Sequence, residues 1–338
     1  MPRADDAEIS ILLPAYDCAE TLAECLESVS CQRETSWECI VVDDGSSDCT
    51  PDIAREFAAR DGRFRLVSTP HAGIVRALGA GLEFCSAPFI ARMDADDRMH
   101  AERLSLQREA LTLNPDWDAV GCHVRIFPRD RLTPGRLAYE AWLNSVEQPE
   151  QLAAEALIEC PIAHPTLFAR REAMQDFGYR DRGWPEDYDL VLRWLAAGKK
   201  IGVVPQALLD WRDTPDRLSR SSDCYASDRF ARCKAEHLAQ GFLSGQRHYI
   251  LWGYGDTGRV LRRELASHER HPSHIVELHP GRLGQRIHGA LVIPPDALPH
   301  LEQQPIVTSV AGAGPRGQIR AALREMGFSE GVDFVVAA

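Results

Sequence analysis

Three carboxylates crowd the stretch RMDADD, residues 92–97: Asp94, Asp96 and Asp97. Like charges at this density repel unless a cation or water lies between them. Such oxygen-rich clusters suit hard divalent ions, Mn²⁺ or Mg²⁺, which are commonly held by one or two carboxylates plus substrate phosphates. Two more acidic groups stand at comparable places, Asp43 with Asp44 in VVDDGSSD and Glu186 with Asp187 in WPEDYD. A carboxylate can accept a hydrogen bond from a base N–H or serve as a general base. The same residues also have structural readings: a solvated acidic loop at 94–97, an Asx-turn at Asp44 before Gly45, and first-turn capping at Glu186 and Asp187. A fourth group is made of glycines, since GYGDTG sets Gly253, Gly255 and Gly258 in dinucleotide-binding spacing.

These groups need elements to position them. Residues 9–100 alternate strand-like runs (ISILLPAY, WECIVVD, FRLVST, PFIARMD) with helix-like ones (ETLAECLESVS, TPDIAREFAAR, GIVRALGAGLEFC). This alternation predicts an α/β fold with a mostly parallel sheet flanked by helices, whose ligands sit beyond the carboxyl ends of the strands. The strand ends carry Pro14, Ala15 and Tyr16, then Asp43 with Asp44, then Asp94 with Asp96, so the predicted rim is acidic. In TPDIAREFAAR, Thr50 is expected as the N-cap, with Pro51 opening the helix. Beyond residue 100 come a helix (AERLSLQREALTL), a strand (AVGCHVRIF), the helix-like EDYDLVLRWLAAG and SDRFARCKAEHLAQ, and linker-like GFLSGQ. A new strand, glycine turn and helix then start a second, smaller α/β domain. The expected division is 1–240 and 247–338.

At 338 residues, 44% hydrophobic and 26% charged, the chain has the composition of a soluble globular protein. Its net charge of −12 argues against general affinity for nucleic acid. No run is apolar enough to span a membrane, and MPRADDAEIS lacks the apolar core of a leader. Ten cysteines without a CxxC pair or zinc spacing fit a reducing compartment. The expected location is therefore the cytoplasm, with peripheral membrane association left open.

SILLPAY, VVDDGSSD, RMDADD and EDYDLVLRW occur in this order, and together with GIVRALGAGL they resemble the family 2 glycosyltransferases of GT-A fold. The resemblance covers roughly residues 9–215. It implies an inverting, metal-dependent transfer of a hexosyl or N-acetylhexosaminyl unit from a nucleotide donor, with UDP expected, to an acceptor hydroxyl. The acceptor class is a glycan, lipid-linked sugar or protein, in surface-glycan or glycoconjugate assembly. By this resemblance Pro14 to Tyr16 and Arg76 line the donor, Asp44 accepts from the uracil N3, Asp94 orients ribose or metal, and Asp96 ligates the ion. Asp97 is either an extra ligand or the N-cap of the next helix. Asp187, with Glu186 beside it, stands at the base position. Trp184 is either an acceptor platform or core, and His164 either a contact or a satisfied structural His. Arg212, Arg217 and Arg220 are candidates to hold the diphosphate. A non-catalytic nucleotide-sugar binding protein would keep Asp44 and Asp96 without needing Asp187.

The C-terminal segment, with GRLGQRIHGALVIPPDAL after the glycine turn, resembles the Rossmann-like N-terminal domain of bacterial sugar O-acyltransferases. Glu277 ends the next strand-like run, where a ribose-binding acid belongs. This predicts a nucleotide- or ligand-binding module, with a purely structural glycine turn as the alternative. An NAD-linked enzyme is the rival, but no Lys follows Lys234 to serve beside a nicotinamide.

Overall fold

The computed structural model describes residues 7–214, 217, 220 and 222–338. Residues 1–6 of MPRADDAEIS, and Pro215, Asp216, Leu218, Ser219 and Ser221 of the arginine-bearing stretch, lie outside the described residues. The chain forms two compact units: one of 1–152, 161–182 and 197–217, the other of 153–160, 183–196 and 218–338.

The first unit is built on eight strands: β1 (Ile9–Ala15), β2 (Trp37–Asp43), β3 (Phe64–Ser68), β4 (Phe89–Arg92), β5 (Arg98–Met99), β6 (Ala119–Phe127), β7 (Phe168–Arg170) and β8 (Ile201–Arg212). Their order is β3-β2-β1-β4-β7-β6-β8-β5. The run β3-β2-β1-β4 is parallel, as is β6 with β8. The three-residue β7 runs antiparallel to both β4 and β6, and β5 is antiparallel to β8. The sheet is therefore mixed, and its parallel half holds the predicted rim.

Helices α1 (Ala19–Ser30) and α2 (Thr50–Arg60) cover one face of this parallel half. Leu22, Leu26 and Val29 of α1 and Ala54 and Phe57 of α2 share a core with Ile9, Ile11 and Leu13 of β1 and Cys39 and Val41 of β2. Helix α3 (Ile74–Leu82) covers the other face. A Cβ at its Gly81 would come within 2.3 Å of Leu12 and 2.7 Å of Val42, so any larger residue there would force these buried side chains to shift. Burial on both faces explains why β1 and β2 read as near-continuous apolar runs. The predicted N-cap at Thr50 is corrected: Thr50 is already helical and its hydroxyl accepts from Cys18 N at 2.8 Å, while Asp48 accepts from Thr50 N at 2.9 Å. The unit also holds α4 (Arg103–Leu113), α5 (Pro134–Leu143) and α7 (Arg171–Phe177); α6 is Pro149–Glu155.

The second unit contains α8 (Glu186–Ala196), α9 (Ser227–Gln240), β9 (His248–Trp252), α10 (Asp256–Ser267), β10 (His271–Val276), β11 (Arg286–Ile287), β12 (Ala290–Ile293), β13 (Ile306–Thr308), α11 (Ala313–Glu325) and β14 (Phe334–Val336). Its sheet runs β11-β12-β10-β9-β13-β14, parallel throughout except for the edge strand β11. Leu261 and Leu265 of α10 pack with Leu251, Ile275 and Val307 on one face. Ile319 and Leu323 of α11 pack with Ile250, Val276 and Phe334 on the other. Among the described residues no helix is long and apolar enough to cross a membrane.

Candidate functional site

Strand pairing brings three of the predicted strand ends together. Ala15 of β1 pairs with Asp43 of β2, Leu12 pairs with Arg92 of β4, and Met93 N donates to Leu12 O at 3.1 Å. The loops after β1 and β2 are tied by reciprocal bonds. Asp17 N donates to Ser46 Oγ (3.0 Å), Ser47 N to Asp17 Oδ1 (2.7 Å) and Ala19 N to Asp48 Oδ2 (3.0 Å). Asp44 turns its carboxylate away from its own turn, and the local bond there is made by Asp43, whose Oδ1 accepts from Ser46 N, three residues on, at 3.1 Å.

Asp44 is buried and reaches the loop before α3. Its carboxylate accepts from Ala72 N (3.0 Å) and Gly73 N (2.8 Å), and His71 Nδ1 lies 2.9 Å from Oδ2. Gly45 must be glycine here, because its φ is +73° and a Cβ would stand 2.6 Å from His71 N. The His71 ring stacks on Tyr16, with centroids 4.1 Å apart and planes 22° from parallel. Tyr16, 47% exposed, thus offers an aromatic surface beside a buried carboxylate, which suits a flat heterocycle with an N–H. Arg76 is exposed in the first turn of α3. His71 was not singled out by sequence reasoning; its place two residues before the Gly73 cap of α3 was the available signal.

The aspartates that follow β4 converge. One carboxylate oxygen each of Asp94, Asp96 and Asp97 lie within 4.8 Å of one another. Beneath them, Arg92 is 1% exposed and its Nη2 stands 2.6 Å from Asp94 Oδ1. Arg103, fully buried, donates to Arg92 O (2.8 Å) and Gln107 Oε1 (2.9 Å), and burial pushes its guanidinium pKa down. Asp97 does not cap a helix: α4 begins only at Arg103, and Asp97 Oδ1 accepts from Arg212 N at the end of β8 (2.7 Å). Its Oδ2 is buried and has no hydrogen-bond partner among the described residues.

Burial, then the neighbouring Asp94 charge, raises the Asp96 carboxyl above the usual range. Burial, then Asp96 and Asp94, raises Asp97 well above it. A buried acceptor left unsatisfied costs about 1–3 kcal/mol, more when charged. A divalent cation among the three carboxylates would satisfy that oxygen and offset the mutual repulsion, so these residues fit such an ion. Of the arginine candidates, Arg212 Nε donates to Asp96 O (2.6 Å), and Arg217 stacks on Trp211 with its charge close enough to favour ionised Asp96 and Asp97. Arg220 is exposed.

His164 is buried, its Nε2 is 2.7 Å from Tyr179 Oη, and burial with the Arg92 charge holds its pKa well below the ordinary value. It is therefore a neutral, hydrogen-bonded core histidine.

Glu186 and Asp187 open α8 in the second unit. Glu186 is 2% exposed and its Oε2 accepts from Tyr225 Oη at 2.6 Å. Burial, Glu186 and Asp187 together raise the Tyr225 phenol, so it stays a donor. Asp187, less buried, accepts from Tyr188 N at 2.7 Å. Trp184 is a core residue, 6% exposed, donating from Nε1 to Asp189 Oδ1 at 3.3 Å. Asp189 also accepts from Arg193 Nε (2.7 Å) and lies 3.0 Å from His237 Nε2. Burial pushes its carboxyl up, but the bonds from His237 and Arg193 outweigh this and hold it below the usual range. This network fixes the first turn of α8, where the two acids sit.

The glycine turn of the same unit lies after β9. Gly253 has φ +98° and its Cβ would be 2.3 Å from Val310, and a Cβ at Gly258 would be 2.2 Å from Gly253 O. Glu277, at the end of β10, accepts from its neighbour Leu278 N (2.9 Å) and pairs with Arg282 (3.0 Å).

Comparison with known proteins bears on the family and the fold. The family model "Glycosyl transferase family 2" matches residues 10–178. EpsE of Bacillus subtilis (strain 168), named as a glycosyltransferase, is 30% identical over 227 residues, covering 65% of this chain and 78% of EpsE. The S. aureus TarS fragment 1–349, solved with UDP-GlcNAc, superposes with a TM-score of 0.55 at 18% identity, over 77% of this chain and 72% of that one. The mannosyltransferase PcManGT of Pyrobaculum calidifontis, solved with GDP-Man and Mn²⁺, gives 0.52 at 19% identity, over 73% and 67%. At these identities the two structures speak for a shared GT-A fold.

Proposed function

The chain belongs to glycosyl transferase family 2, and from that premise we propose that it moves a hexosyl or N-acetylhexosaminyl group from a UDP-linked donor to an acceptor hydroxyl, with inversion and with a divalent cation. The observation that carries this reading is the convergence of Asp94, Asp96 and Asp97, with the orphaned buried Asp97 Oδ2, next to the ends of β1 and β2. Tyr16 and the Asp44 carboxylate receive the base, and the acid triad lies one strand further along the same rim. A cation there, Mn²⁺ or Mg²⁺, supplies charge neutralisation for the departing nucleoside diphosphate. Mn²⁺ beside a nucleotide sugar in PcManGT supports the cation, and UDP-GlcNAc in TarS supports the nucleotide.

Inverting displacement needs one base to take the acceptor proton, and Asp187 is assigned that role. Its place in the first turn of a helix favours the ionised carboxylate. Glu186, buried under the Tyr225 hydroxyl, supports the turn from which Asp187 acts. Residues 247–338 are assigned as a Rossmann-like module that binds a nucleotide at Gly253, Gly255, Gly258 and Glu277. The acceptor class is a glycan, lipid-linked sugar or protein, in the assembly of a surface glycan or glycoconjugate in the cytoplasm.

A donor screen tests the enzyme reading. Nucleoside diphosphate release is measured over a panel of activated sugars, with and without chelator. Metal-dependent release from at least one UDP-sugar is expected, and silence across the panel would overturn the proposal.

A further inference from the structure

We infer that the crevice between the turns after β9 and β13 binds a nucleoside diphosphate whose ribose 2′-hydroxyl is free. This rests on the nucleotide-site reading of the glycine turn and adds to it the ligand's chemistry and three further residues, Thr257, Ser309 and Gly312.

The two strands are parallel neighbours, Trp252 pairing with Thr308. The helices that follow them part to opposite faces: α10 packs with Leu251 and Val307, α11 with Ile250 and Phe334. That is a topological switch point, the place where an open α/β sheet leaves a crevice beyond its carboxyl ends. The two turns are fastened together across it, Ser309 N donating to Trp252 O at 2.8 Å and Thr257 Oγ1 to Ser309 O at 3.2 Å.

Both helices start on glycine, Gly255 for the 12-residue α10 and Gly312 for the 13-residue α11, and neither has a side-chain cap. Their first-turn N–H groups are therefore available to an anion. The glycines are not equivalent. Gly253 is demanded by its φ of +98°, and Gly258 by the backbone, since a Cβ there would stand 2.2 Å from Gly253 O. Gly255 has an ordinary φ of −78° and nothing within 4 Å of where a Cβ would stand. Neither strain nor packing requires glycine there, whereas close approach of a diphosphate does.

A second, independent feature points the same way. Ser309 is 2% exposed, its Oγ has no hydrogen-bond partner among the described residues, and its Cβ lies 3.8 Å from the Cβ position of Gly258 in the first turn of α10. A phosphate oxygen at this turn would satisfy that hydroxyl. The ribose end is set by Glu277. With one oxygen on Leu278 N and the other on Arg282, the carboxylate keeps lone pairs for a 2′,3′-diol. It would repel a 2′-phosphate.

Calorimetry on the full chain in chelator, with NAD⁺, ADP-ribose, UDP and NADP⁺, tests this. Stoichiometric binding of at least one of the first three is expected, with NADP⁺ at least about tenfold weaker than NAD⁺ or ADP-ribose, whichever binds, and their ranking against UDP identifies the base. Gly255→Val, which the open space and ordinary φ allow to fold, should keep the wild-type melting temperature and lose at least about tenfold in affinity. Ser309→Ala should lose several-fold. Unchanged affinity in Gly255→Val would overturn the crevice, leaving binding to the first unit. NADP⁺ binding as tightly as NAD⁺ would overturn the ribose assignment while sparing the glycine-turn reading. No heat with any ligand would overturn both, and donor turnover by the first unit, measured separately, would not be touched by that result.

Discussion

Asp97→Asn separates an ion site from an incidental cluster of acids. Oxygens of Asp94, Asp96 and Asp97 lie within 4.8 Å of one another. At an effective dielectric of about 20, two full charges at that distance repel by about 3.5 kcal/mol. Arg92, 2.6 Å from Asp94, and the nearby Arg217 charge offset part of this. Asparagine is isosteric and keeps the Oδ1 bond from Arg212 N. In metal-free protein, at a pH where Asp97 is ionised, it should therefore relieve repulsion and stabilise by about 1–3 kcal/mol, raising Tm by about 2–4 °C per kcal/mol for a domain of this size. With Mn²⁺ this advantage should shrink. Cation at about 100 times its Kd stabilises the wild type by about 2.7 kcal/mol. The variant, lacking one anionic ligand, should bind at least about tenfold more weakly and keep at most about 1.4 kcal/mol of that gain. Differential scanning fluorimetry with chelator and with Mn²⁺ reads both effects. A variant less stable than wild type in chelator, with an undiminished Mn²⁺ shift, would refute the reasoning and leave Asp97 a structural acid.

Asp187→Asn should leave UDP affinity within about twofold and lower turnover by about 10²- to 10⁴-fold, as separate binding and kinetic assays would register; unchanged turnover would remove Asp187 from the mechanism. Asp189→Ala should destabilise by about 3–5 kcal/mol in chemical denaturation, because Arg193 and the Trp184 N–H lose a buried partner. Since the Asp189 carboxyl is held below its unfolded value, its contribution is full above about pH 4 and fades as pH falls through the folded value, so the gap between variant and wild type should narrow in acid. Lys234 is pushed down to about 8, chiefly by burial, with its Nζ donating to Ile158 O and Ala337 O. The unfolded chain then binds the extra proton between about pH 8 and 10.4, so this residue makes stability rise with pH across that window, by at most about 3 kcal/mol, and Lys234→Gln should remove that rise from the melting curves.

The alternation of strands and helices through β4 was legible because its signals are local: side-chain period, turn residues and acids at strand ends. The same is true of β6, α8, α9 and the glycine turn. Local signals did not reveal β7, whose three residues carry no period, nor that it would enter antiparallel between β4 and β6. The β11–β12 hairpin went unread as strands for the same reason, since Arg286–Ile287 is only two residues long.

By itself, the sequence determined which side chains were available for chemistry: carboxylates at successive strand ends, acids opening α8, and glycines after β9. Tertiary structure decided what each one does. Asp44 accepts from Ala72 N and Gly73 N, Asp97 reaches Arg212 rather than a helix cap, and the Ser309 hydroxyl has no hydrogen-bond partner among the described residues, at a switch point that exists only once β13 lies beside β9. Each of these depends on groups dozens of residues apart meeting within 3 Å or failing to meet. Hydrogen bonding at that separation is set by strand order and register, which no local pattern of residue types encodes.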